Sequence, residues 1–169
     1  MKPLVTFVGT SGCGKTTLIE KVIPLITAKG YNVSTIKHDA HEFQMDKEGK
    51  DTWRHKKAGA RAILISNSRQ YAMICDAEKE KTVEELTSLL PDYTDVIIAE
   101  GFKKELQKKI EVFRKGFSTK LQCAEDPNLM AVATDMPDNP QVEGRILLDL
   151  NDPHQIAEFI IEEIIKAVH

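Results

Sequence analysis

The sequence predicts an α/β domain built on a mainly parallel β-sheet with one antiparallel hairpin element. Three observations carry that reading. Short apolar runs of strand length alternate with stretches of three-to-four apolar spacing, a glycine-rich turn joins the first run to the first helix, and two later strand-like runs are linked too tightly for a crossover. The 169 residues amount to one domain, and a composition of 41% hydrophobic and 29% charged residues is that of a globular protein rather than a disordered or fibrous one.

Residues Leu4 to Val8 are apolar and β-rich, and Gly9 stops them, so they read as a central strand. From Lys15 the pattern changes to Leu18, Ile19, Val22, Ile23, Leu25 and Ile26, an amphipathic helix bent by Pro24 and ended by Gly30. Tyr31 to Lys37 returns to strand character and completes a parallel β-turn-α-β unit. The segment from Asp39 to Asp51 has little periodicity and reads as a site loop.

A short helix follows over Thr52 to Ala58, then strands over Arg61 to Ser66 and Gln70 to Asp76, joined by Asn67-Ser68-Arg69 as a hairpin expected to enter the sheet. Thr82-Val83-Glu84-Glu85 resembles a capping box opening a helix to Leu90, and Val96 to Ala99 is the next strand. Lys109 to Arg114, Leu129 to Thr134 and Arg145 to Leu150 are further strands. Asn151 or Asp152 before Pro153 starts the last helix, which runs towards Val168.

Charge and cysteine usage restrict the function. Lys and Arg total 23 against 26 Asp and Glu, a net charge of −3, so no whole-protein field attracts nucleic acid or an anionic membrane. Cys13, Cys75 and Cys123 form no C-x-x-C pair and point to neither a disulfide framework nor a zinc ribbon. The first apolar run is too short for a signal peptide, and the cytoplasm is the expected location.

Gly9-Thr10-Ser11-Gly12-Cys13-Gly14-Lys15-Thr16 fits G-x-x-x-x-G-K-[ST] between a strand and a helix, as the phosphate-binding loop requires. Chance would produce the pattern on the order of once per hundred chains of this size. Glycines let backbone N–H groups face a phosphate, and the helix amino terminus adds partial positive charge. Lys15 is expected to reach the β- and γ-phosphates and Thr16 to ligate Mg²⁺. Cys13 occupies a free position of the motif, which makes a nucleophile there unnecessary. The motif makes the fold class a P-loop NTPase three-layer sandwich, with residues 1–169 as a single nucleotide-binding domain.

An acidic partner for Mg²⁺ should lie at a neighbouring strand end. Glu100 follows Val96-Ile97-Ile98-Ala99 at the carboxyl edge, whereas Asp95 lies at the opposite end of that strand. Asp39 should emerge at the same edge, either as a switch-like Mg²⁺ contact or as a loop cap. His38, His41 and His55 could belong to a transition-metal site, but no cysteine accompanies them. Arg54 is read as an anion contact or as a surface ion pair. From Lys103 to Lys120 the chain carries a local charge of 7 − 2 = +5, either a second anion site or a solvated face. No N-K-x-D occurs; Asp135, after the strand ending at Thr134, is either a guanine reader or a turn residue.

The P-loop together with Lys37-His38-Asp39-Ala40-His41, Asp46, Gly49-Lys50-Asp51-Thr52, Arg54-His55, Ala58-Gly59-Ala60 and Glu100-Gly101-Phe102-Lys103 resembles the molybdopterin-guanine dinucleotide biosynthesis adaptor family, MobB. The likeness covers about the first two thirds, and the His-Asp segment is more specific than the P-loop. The resemblance implies a GTP-binding homodimer of molybdenum cofactor maturation with weak Mg²⁺-dependent GTPase activity. Its implied partner is a MobA-type molybdopterin guanylyltransferase, with molybdopterin as a further ligand. It assigns Gly12, Cys13, Gly14, Lys15, Thr16 and Thr17 to nucleotide and Mg²⁺, puts Asp39 and Glu100 near the metal, and favours Asp135 as guanine reader. A small-molecule kinase and a metal-delivery GTPase using the three histidines are the competing functions.

Overall fold

The structure, a computed structural model, describes residues 2–39 and 43–168. The chain forms two compact units, Met1–His38 with Val83–His169, and Asp39–Thr82. In the larger unit, strands β1 (Leu4–Val8), β2 (Val33–Lys37), β5 (Val96–Glu100), β6 (Lys109–Phe113), β7 (Leu129–Thr134) and β8 (Leu147–Asp149) build one sheet. Its order is β2-β5-β1-β6-β7-β8, and every pairing is parallel. After β1 the chain goes to one side of it for β2 and β5, and then crosses to the other side for β6. The carboxyl end of β1 is therefore a topological switch point, where open α/β sheets bind ligands.

Helix α1 (Lys15–Ala28) and helix α4 (Pro153–Ile160) cover one face, where Leu18, Val22, Ile26, Ile156 and Ile160 pack on Val5, Phe7, Ile98 and Ile110. Pro24 lies within α1, which runs unbroken past it to Ala28. Asp152 caps α4 by accepting from His154 and Gln155, with Pro153 at the first helical position. One π turn, Ile161–Ile165, continues α4 and keeps three isoleucines buried.

The other face packs Leu4, Ile97 and Ala99 against α3 (Val83–Thr87), giving the three layers. Helix α3 is shorter than the capping signal predicts. Thr87 and Ser88 turn their hydroxyls back to the carbonyls of Glu84 and Glu85, and such bonds compete with helix propagation.

In the smaller unit, α2 (Asp51–Lys57) precedes β3 (Ala62–Ser66) and β4 (Tyr71–Cys75). Asn67 makes the turn, its side chain accepting from the N–H groups of Arg69 and Gln70. The hairpin does not enter the main sheet as expected: β3 and β4 pair only with each other. Periodicity identifies strands, but the partner of a hairpin's outer edge is set by tertiary packing.

Candidate functional site

The phosphate loop forms at the carboxyl end of β1 because its glycines adopt conformations that side chains resist. Gly9 has φ +138°, and a Cβ there would lie 2.5 Å from the Val112 carbonyl oxygen. Gly14 has φ +94° and caps the amino end of α1. Between them, Lys15 Nζ folds over the loop and donates to the carbonyls of Gly9 at 3.2 Å and Thr10 at 3.0 Å. These are the bonds an ammonium can exchange for phosphate oxygens. Gly12, Thr16 and Thr17 are exposed.

Cys13 is fully buried, and burial raises its thiol pKa despite the nearby charges of Lys15 and Arg114. A protonated, enclosed thiol is a packing group rather than a nucleophile.

Glu100 ends β5 beside β1, in register with Phe7 on one side and Lys37 of β2 on the other. Thr16 Oγ1 lies 2.9 and 3.1 Å from its two carboxylate oxygens. Lys37 Nζ stands 3.9 Å from the same carboxylate, whose side chain is 16% exposed. The turn after Glu100 is tightly held. Gly101 has φ +103°, with a Cβ excluded by the His38 carbonyl at 2.9 Å, Phe102 has φ +46°, and its ring lies 4.9 Å from that of His38. Asp95, at the other end of β5, instead accepts from the backbone and side chain of Asn32.

The structure thus brings together the loop, Thr16, Glu100 and Lys37, a hydroxyl and a carboxylate beside a cationic cradle. That donor set suits Mg²⁺ and a phosphate chain. Asp39 opens the smaller unit two residues after the end of β2. Asp135 directly follows β7 and accepts the Lys115 N–H at 2.8 Å, so its carboxylate also fixes the turn after β6. His41 lies outside the described residues. Among the described residues, no group of three or more His, Cys, Asp and Glu side chains is arranged to hold a metal ion.

The basic run from Lys103 to Lys120 is not one surface. Lys109 is fully buried and pairs with Asp126 at 2.7 Å, and Lys108 donates to the Glu163 carbonyl. Arg114, at the end of β6, lies on the loop itself: a Cβ on Gly14 would meet its Cζ and Nη2 at 3.2 Å. The following segment reaches the loop too, since Gln122 Nε2 donates to Thr10 Oγ1 at 3.0 Å. Buried Glu111 anchors that segment by accepting the N–H groups of Gln122 at 2.7 Å and Cys123 at 2.9 Å. Sequence reading missed Arg114 as a loop neighbour. The available signal was its place at the carboxyl end of a strand adjacent to β1.

Residues 4–135 match the family model described as molybdopterin guanine dinucleotide synthesis protein B. The chain belongs to this family. It is 40% identical over 159 residues to the molybdopterin-guanine dinucleotide biosynthesis adapter protein of Haemophilus influenzae, covering 94% of this chain and 87% of that one. Identity to the Escherichia coli K12 adapter protein is 37% over 166 residues, 96% of this chain and 93% of that one. The crystal structure of Bacillus subtilis MobB superposes with a TM-score of 0.74 at 25% identity, covering 96% and 98% of the two chains. This MobB-family chain is therefore a P-loop fold serving as an adapter in molybdopterin-guanine dinucleotide biosynthesis, and no helix among its described residues is long and apolar enough to cross a membrane.

Proposed function

We propose that this chain binds Mg²⁺·GTP, hydrolyses it slowly, and acts with a MobA-type molybdopterin guanylyltransferase. The observation that carries the nucleotide part is the Thr16–Glu100 contact, a loop hydroxyl and a strand-end carboxylate 2.9 Å apart beside a glycine cradle. Lys15 and the loop N–H groups bind the phosphates, while Thr16 and Glu100 hold the metal directly or through its water. Bound Mg²⁺ supplies charge shielding for the phosphate chain. Slow hydrolysis fits a site whose residues bind and orient phosphates without an identified group to activate water.

Guanine selectivity is assigned to Asp135, at the end of β7, where a carboxylate can accept from the two donors of a guanine edge. A homodimer belongs to the same reading and is supported by the hairpin, on which Leu64, Ile65, Tyr71 and Met73 are all more than half exposed. The cytoplasm is the compartment in which these assignments operate.

The experiment is GTP turnover measured alone and with a molybdopterin guanylyltransferase. Slow turnover that changes on adding the partner is expected. Rapid stoichiometric phosphorylation of a metabolite would establish a kinase instead.

A further inference from the structure

Arg114 sits where a cation is electrostatically unfavourable. Its guanidinium packs on Gly14, the amino cap of the 14-residue helix α1, and so faces the positive end of the helix dipole next to Lys15. Its Nε is buried and has no hydrogen-bond partner. Among the described residues no carboxylate forms an ion pair with it within 4.0 Å. The two fully buried charged side chains are paired, Lys109 with Asp126 and Glu111 with two backbone N–H groups, and Arg145, whose Nε is also buried without a partner, donates through Nη2 to the Ala124 carbonyl. A half-buried guanidinium with no carboxylate partner, beside a second cation and a helix amino terminus, is a place where an anion is electrostatically favoured.

We propose that Arg114 is a phosphate-binding residue of the loop, supplied in cis from the end of β6, which pairs its guanidinium N–H groups with oxygens of the phosphoanhydride chain held at Gly9–Thr16. The inference rests on the nucleotide reading of the loop but not on the identity of the base. The geometry also gives Gly14 a second reason to be glycine, because a side chain there would displace the guanidinium as well as oppose the positive φ. The planar fork of Arg suits bidentate phosphate pairing in a way that the point charge of Lys does not.

The test is calorimetric titration of Mg²⁺·tripolyphosphate and Mg²⁺·GTP into the wild type, Arg114→Gln and Arg114→Lys, with thermal unfolding of each protein without ligand. Arg114→Gln should weaken both ligands about tenfold or more, Arg114→Lys should fall between, and ligand-free Tm should stay level or rise because an unpaired cation is removed. Wild-type affinity in Arg114→Gln overturns the inference and leaves the nucleotide reading intact. A lowered ligand-free Tm with unchanged affinity assigns Arg114 to packing and also overturns it. If the wild type binds neither ligand, the nucleotide reading itself fails, and the inference with it.

Discussion

Thr16 and Glu100, 84 positions apart in the chain, are joined by a 2.9 Å hydrogen bond between the first turn of α1 and the end of β5. The contact links the phosphate loop to the strand beside it. The account predicts that Thr16→Val and Glu100→Gln each reduce the Mg²⁺ dependence of GTP binding, with affinity falling about tenfold or more in saturating Mg²⁺ and little changed in EDTA. Titrations with and without the metal check this, and equal losses in both conditions would count against a metal role.

Gly9→Ala should destabilise the protein without removing any functional group. The added Cβ meets the Val112 carbonyl at 2.5 Å, and φ +138° is unfavourable for alanine, so a loss of at least about 2 kcal/mol is expected in denaturant unfolding. Gly116→Ala is the control, since φ is also positive there but no atom lies within 4 Å of its Cβ.

The pair of buried Lys109 and partly exposed Asp126 sets an acid limb of stability. The Lys109 ammonium holds the Asp126 pKa below the ordinary 3.8 through its hydrogen bond, aided by the Asn128 N–H. A carboxylate depressed in the folded state stabilises above its unfolded pKa, and that contribution is lost as pH falls below about 3.8 and through the folded value. Asp126→Ala should cost about 1–3 kcal/mol at neutral pH by leaving the buried Lys109 ammonium with the Glu105 carbonyl but no counter-charge, and it should flatten the acid limb. Chemical denaturation between pH 2.5 and 7 gives both numbers.

Much of this architecture was legible in the sequence because it rests on local signals. The apolar run Leu4–Val8, the glycine spacing after it and the Asp152-Pro153 helix start each reappear at the expected residues. Glu100 was placed beside the loop by strand polarity alone. The pairing of β3 and β4 apart from the main sheet was not legible, because hairpin periodicity is the same in either case. Lys109 and Glu111 looked like members of a charged run, yet both are buried on the sheet face opposite α1 and α4, and only the packed neighbours Asp126, Gln122 and Cys123 explain how that is tolerated. Arg114 belonged to the same run, and its place on Gly14 depends on the order of strands in space.

Thiol chemistry should separate the three cysteines. Cys75 is exposed, whereas Cys13 and Cys123 are buried, with thiol pKa values raised chiefly by burial. At neutral pH an alkylating reagent should label Cys75 quickly and the other two only on unfolding, as mass mapping of the peptides can verify.

The central claim is that a guanine nucleotide occupies the loop. Competition of GTP against ATP in saturating Mg²⁺, with Lys15→Ala as the control that loses binding, tests it most directly. GTP bound about tenfold or more tightly than ATP, a difference of about 1.4 kcal/mol, is the predicted result, and equal affinities for the two nucleotides would contradict it.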